Sequence, residues 1–264
     1  MSVRVKEIID CLESIAPLSW QESYDNAGLI VGNKEMECKG VLVCLDVFPS
    51  TIQEAIDKGC NMVVSHHPFI FRAMKKFADN SDSVQTLNLA IKNDIAVYAT
   101  HTNMDSASTG VNFMLANALG LTNISKLQSE DNSEAGYLGC GAVGELNKKI
   151  KAKDFLQEVK QKLNLKAIRY TGNEEKEIKK IGICGGSGAG FMDYAIEKEC
   201  DCYLTGDIKY HEFLSSESRI ILADIGHYES EQFIKQRIIE IISKNFSNFA
   251  RLFESEQRNR VKFI

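Results

Sequence analysis

GVLVCLDVFPSTIQEAIDKGCNMVVSHH, residues 40–67, contains a complete strand–helix–strand unit. The apolar, β-branched run at 40–47 reads as a short buried strand. Residues 49–59 then change to helical spacing, with Ser50 as the expected N-cap and Gly59 as the stop. Cys60 to Ser65 is apolar again and forms the second strand. Two strands joined by a helix of this length make a parallel βαβ unit. Shifting the chain by 140 residues lays this stretch over KIGICGGSGAGFMDYAIEKECDCYLTGD, residues 180–207, without a gap. Cys44 falls on Cys184, Ala55 on Ala195, Ile56 on Ile196, Lys58 on Lys198 and Cys60 on Cys200. The expectation is an α/β protein of two similar α/β domains with a cleft between them.

Outward from these units the alternation continues. Residues 4–15 place Val5, Ile8, Ile9, Leu12 and Ile15 at helical spacing, and YDNAGLIVG is a turn entering a strand. VQTLNLAIKND is a helix, IAVYAT a strand, and GVNFMLANALGL a helix ended by Gly120. Residues 121–150 are richer in Ser, Asn and Gly and read as a domain junction. Helix KDFLQEVKQKLN, strands AIRYTG and KKIGICGG, helix GFMDYAIEKE and strands CDCYLTGD and RIILADIG follow. A long terminal helix, YESEQFIKQRIIEIISKNF, comes after them, and the basic EQRNRVKF tail is read as solvated. The expected domains are 1–122 with 218–264, and 123–217.

Composition narrows the function. The net charge of −5 gives no general attraction to nucleic acid or an anionic membrane. No apolar run is long enough to span a bilayer, and the N-terminus has no signal-peptide core. Eight cysteines occur without a C-x-x-C, several inside apolar runs, so zinc ribbons and thioredoxin-type motifs are not expected. The expectation is a reducing, cytoplasmic protein.

The histidines are few and placed. His66 and His67 end one strand, His101 ends a second with Asp105 four residues on, and His227 ends a third with Glu231 four residues on. The carboxyl ends of parallel strands lie along one edge, where sites form, so these three ends can converge. Imidazole and carboxylate without thiolate suit zinc, manganese, iron or nickel, and the two carboxylates suit a pair of ions. Two other stretches attract attention. ICGGSGAGF, with Gly186 and Gly188, lies between a strand and a helix, where backbone amides can receive a phosphate; a tight turn is the equal alternative. TGDIKYHEF brings Asp207, Lys209, His211 and Glu212 together after a strand, as a source of charge and a general acid or base, or as an interface loop.

YDNAGLIVG, SHHP, HTNMD, TGDIKYHEF and GHYESE, in this order, resemble the Nif-three-like dinuclear-metal family, also labelled GTP cyclohydrolase 1 type 2. The resemblance runs from about residue 5 to 250, in the compact form without an inserted domain. It implies two α/β domains, a toroidal homohexamer and two divalent metal ions per chain. It implies that His66, His67, Asp105, His227 and Glu231 hold the ions, with His101 as a ligand or close neighbour. The implied reaction is GTP plus water to 7,8-dihydroneopterin triphosphate plus formate. His211 or Glu229 would move protons, and Lys209 would meet the triphosphate. The residues themselves support only metal-activated water. A di-metal hydrolase of another nucleotide or phosphoester, and a ring-shaped metal-binding scaffold for nucleic acid or protein, remain alternatives.

Overall fold

The structure is a computed structural model that describes residues 2–78, 80–128, 135–247, 249 and 251–264. The chain divides into two compact units, Met1–Met104 with Ile234–Arg260, and Asp105–Phe233 with Val261–Ile264.

In the first unit, α1 (Val5–Glu13) precedes β1 (Gly28–Val31), β2 (Val41–Cys44), α2 (Pro49–Asp57), β3 (Met62–Ser65), α3 (Asp82–Lys92), β4 (Ala96–Ala99) and the start of α4 (Thr102–Asp105). Among the described residues the sheet has the order β1-β4-β3-β2, with a late strand beside β2. β2, β3 and β4 run parallel and β1 antiparallel. All positions of β2, β3 and β4 are buried, which is why they read as unbroken apolar runs. Helix α2 begins two residues earlier than Ser50 would cap it. Pro49 occupies the first helical position, where its missing N–H leaves no bond unmade, and Phe48 precedes it as N-cap.

The second unit contains α5 (Val111–Leu119), β5 (Thr122–Lys126), β6 (Ala142–Lys151), α6 (Ala152–Lys162), β7 (Arg169–Thr171) and β8 (Glu177–Ile183). It continues through α7 (Met192–Glu197), β9 (Cys202–Thr205), α8 (Tyr210–Ser216), β10 (Ile221–Asp224) and α9 (His227–Glu231). Its sheet order is β5-β6-β8-β9-β10-β7. The chain then runs through α10 (Phe233–Asn245), most of which belongs to the first unit, to β11 (Leu252–Glu254), which pairs in parallel with β2. The terminal helix is therefore two helices.

The 140-residue offset holds at the level of single hydrogen-bonded positions. Val41 faces Met62 and Ile181 faces Cys202; Val43 faces Val64 and Ile183 faces Leu204. Both helix exits turn through a left-handed residue, Gly59 (φ 67°) and Glu199 (φ 55°). Both are followed by the same backbone bond, Cys60 N–H to Ala55 O at 2.8 Å and Cys200 N–H to Ala195 O at 2.9 Å. The likeness extends beyond the two stretches compared in sequence. β1-β4-β3-β2 and β7-β10-β9-β8 share order and direction, three parallel strands with an antiparallel edge.

Three expectations change. The boundaries at 122/123 and 217/218 fall inside the second unit, because β10 hydrogen-bonds to β9 and β7. The stretch 121–150 is not merely a junction: β5 and β6 form an antiparallel ladder there, and β6 pairs onward with β8 (residues 129–134 lie outside the described residues). The three histidine-bearing strand ends do not share one sheet; β3 and β4 are in the first, β10 in the second.

Candidate metal centre

In the first unit, Ser65 of β3 is in register with Ala99 of β4. His66 and His67 follow one strand and Thr100 and His101 the other, so the three rings emerge from the same end of adjacent strands. His66 and His67 donate their backbone N–H groups to Cys44 O (3.2 Å) and Leu45 O (2.9 Å), which prolongs the pairing with the β2 side. The side chain of Ser65 donates to His67 O at 2.8 Å and fixes the bend before Pro68. Ring centroids lie 4.9, 5.3 and 5.4 Å apart, and one ligand-type nitrogen from each ring lies within 4.8 Å of the others.

Each Nδ1 of these rings faces an oxygen that can only accept. His66 Nδ1 is 2.8 Å from Thr100 O, His67 Nδ1 2.8 Å from Asp46 Oδ1, and His101 Nδ1 2.7 Å from Asp25 Oδ1. In the neutral ring Nδ1 therefore carries the proton, which leaves Nε2 the lone pair that a cation can take. The Asp25 side chain is withdrawn from solvent. Burial raises its pKa, but hydrogen bonds from His101, Thr102 and the Asn26 backbone outweigh burial and hold it at about 2.

The second unit gathers the remaining ligand candidates around the glycine turn. His227 opens α9 after Gly226 (φ 80°). Its Nδ1 lies 2.7 Å from Asp207 Oδ2, and its Nε2 lies 3.1 Å from Glu231 Oε2, one helical turn on. Burial disfavours the imidazolium, yet the Asp207 and Glu231 carboxylates raise its pKa to about 11. An imidazole between two carboxylates, one of them only 3% exposed, is a place that asks for positive charge. Burial drives the Cys184 thiol upward, and the nearby Asp105 and Glu231 carboxylates drive it further, so both carboxylates act on one neighbourhood. Asn112 ties that neighbourhood together. Its Nδ2 donates to Asp105 O at 3.1 Å and its Oδ1 accepts the Gly185 N–H at 2.9 Å.

The glycines themselves serve this packing. A Cβ on Gly186 (φ 66°) would sit 2.1 Å from Glu231 Oε1 and 3.4 Å from His227 Nε2. A Cβ on Gly206, the position 140 residues after His66, would sit 2.8 Å from the His227 nitrogen. The second half therefore has no room for the histidine that the first half carries there. The phosphate reading of Gly186 and Gly188 is corrected. Gly186 N–H donates to Ser230 Oγ (3.0 Å) and Gly188 N–H to Thr205 Oγ1 (2.9 Å), so these amides already have acceptors.

Lys209 and His211 are exposed at the start of α8, where Lys209 N–H donates to Glu212 Oε2 (2.6 Å) and the His211 ring meets Tyr210 at 5.4 Å. Among the described residues, no hydrogen bond or ion pair joins either side chain to a ligand. Glu229 lies over Gly226, where an added Cβ would meet its Oε2 at 2.3 Å. Sequence reasoning missed Asp46 and the orienting roles of Asp25 and Asp207. Asp46 ends a strand, as the histidines do, and that placement was the available signal; Asp25 lies 76 residues from its partner.

Imidazoles tethered at Nδ1, together with the Asp105 and Glu231 carboxylates, form groups that could hold divalent transition-metal ions. Fold and donor set together define a two-sheet α/β protein with groups that could hold a metal ion at its strand ends. The chain belongs to the Duf34/NIF3 (NGG1p interacting factor 3) family, whose model matches residues 3–259. It is 34% identical over 266 residues to a Clostridium perfringens protein called GTP cyclohydrolase 1 type 2 homolog, covering 99% of this chain and 100% of the relative. The crystal structure of a Staphylococcus aureus hypothetical protein matches with a TM-score of 0.89 at 29% identity, over 100% of each chain. A Bacillus cereus protein related to NIF3 shares the fold at a TM-score of 0.90 and 23% identity, again over 100% of each. Among the described residues, no helix is long and apolar enough to cross a membrane.

Proposed function

We propose that this protein is a dinuclear-metal-dependent hydrolase of the GTP cyclohydrolase type, converting GTP and water to 7,8-dihydroneopterin triphosphate and formate. The observation that carries the metal-dependent part is the tethering of four of the five histidines at Nδ1 by an oxygen acceptor. The name of the Clostridium perfringens relative supports GTP as the substrate.

His66, His67, Asp105, His227 and Glu231 would hold two divalent ions, with His101 as a further ligand or close neighbour. Such ions supply Lewis acidity and bring the pKa of water toward neutrality. The protein's own groups do the remainder. Asp25, Asp46 and Asp207 keep the imidazoles in the donor tautomer and in place. Asp105 and Glu231 balance the cationic charge. Glu229, beside the turn that launches His227, would move a proton, with His211 as the other candidate; Lys209 is the candidate for triphosphate in the second unit.

The test is formate release from GTP by protein loaded in turn with zinc, manganese, iron or nickel, beside a chelated sample and His66→Ala. Product from at least one loaded form, absent from both controls, is expected. No product above the His66→Ala background from any metal overturns the cyclohydrolase reading.

A further inference from the structure

We propose that Tyr24 and Phe71 form a stacking platform for the planar base of a purine nucleotide beside the His66–His67–His101 group. This deepens the hydrolase reading and rests on it for the choice of a nucleotide. The two side chains are 60% and 45% exposed, although aromatic rings gain most from leaving water. Their centroids lie 6.3 Å apart, and the Phe71 ring meets His101 edge-on at 6.1 Å. An exposed aromatic pair against a metal-type histidine offers a π-face where a reacting ring would be presented to the site.

The backbone beneath the platform is also tied down. Tyr24 directly precedes Asp25, whose Oδ1 faces His101 Nδ1 and whose Oδ2 accepts the Thr102 N–H at 3.0 Å. Asn26 Nδ2 donates to Ile70 O at 2.6 Å and ties the Tyr24 loop to the Phe71 loop. The backbone that carries each ring is thus tied near His101 by hydrogen bonds one residue away, which narrows where the rings can stand and lowers the cost of binding. Positive charge lies close by in the sequence. Phe71 leads into Arg72, Lys75 and Lys76, all exposed, in a segment where the next acidic residue is Asp79, while Glu22 and Asp25 flank Tyr24. Clustered Arg and Lys next to an aromatic face suit a base carrying phosphates.

The test compares metal-loaded wild type, Phe71→Leu, Tyr24→Leu and the double variant by calorimetry with GTP, ATP and tripolyphosphate. Metal content and oligomeric state are measured on the same samples. GTP and ATP affinity should fall about tenfold or more in the double variant, the size of one lost stacking contact, while tripolyphosphate affinity and metal content stay unchanged. Phe71→Trp should keep GTP affinity, and its indole fluorescence should be quenched by the base. Equal GTP affinity in wild type and double variant overturns the platform. So does tripolyphosphate binding as tight as GTP, a wild type that binds neither nucleotide, or a changed oligomeric state with unchanged GTP affinity, which would make the patch a protein contact. Tight, ring-dependent binding without formate release retains the platform and retires the cyclohydrolase reading. Formate release with an unchanged KM in the double variant does the reverse.

Discussion

Gly186 shows how much chemistry a missing side chain can carry. Its left-handed backbone (φ 66°) would cost an L-residue about 1–2 kcal/mol, and the space that a Cβ would fill belongs to Glu231. Gly186→Ala should therefore leave a folded protein whose Glu231 carboxylate is displaced from His227. Metal binding should weaken about tenfold or more, as when groups that position a ligand are lost, measured by titration against a competing chelator. Affinity within about twofold of wild type would show that the carboxylate has other room. Sequence singled out this glycine for its backbone amide; the structure uses its lack of a Cβ. Nothing in ICGGSGAGF reveals that a carboxylate from 45 positions downstream fills the space, because that contact exists only after α9 has docked.

At the scale of elements, the two βαβ units solve one problem in two ways. Both helices leave through a left-handed residue, but α2 uses Gly59 and α7 uses Glu199. Glycine is at home in that conformation and glutamate is not. Glu199→Gly should stabilise the protein by about 1 kcal/mol, read as a higher urea midpoint at unchanged slope. A lower midpoint would mean that Glu199 makes compensating contacts. The elements themselves were largely legible, since fully buried parallel strands and amphipathic helices announce themselves by period. The stretch holding β5 and β6 read only as a junction, and short α8 and β11 did not show, because a few residues carry no measurable period and β11 forms only by pairing with β2.

The whole molecule joins metal, proton and fold through His227. Without metal, its pKa of about 11 means that a proton stands between Asp207 and Glu231 throughout neutral pH. That raised pKa contributes stability that is fully present below the unfolded value near 6.5 and is lost as pH rises through about 11. A metal ion held by His227 Nε2 would have to displace the proton, so on the proposed reading affinity should rise about tenfold per pH unit between pH 6 and 8. A ligand that binds only the folded state stabilises it by about 4 kcal/mol at 1,000 times its Kd. The melting temperature should therefore rise on metal loading, and by more at pH 8 than at pH 6 at equal free metal. An increment independent of pH would exclude displacement of the His227 proton.

Sequence alone determined the α/β class, the duplicated unit at an offset of 140 and the ligand-type residues at strand ends. Each is written in local period, composition or direct self-comparison. Only tertiary structure decided that β10 joins the second sheet, and that most of α10 returns to the first unit. It also decided that Asp25, Asp46 and Asp207 stand at the Nδ1 atoms of His101, His67 and His227. Strand order and side-chain partnership depend on which surfaces bury one another, across separations of 20 to more than 70 residues that leave no periodic trace.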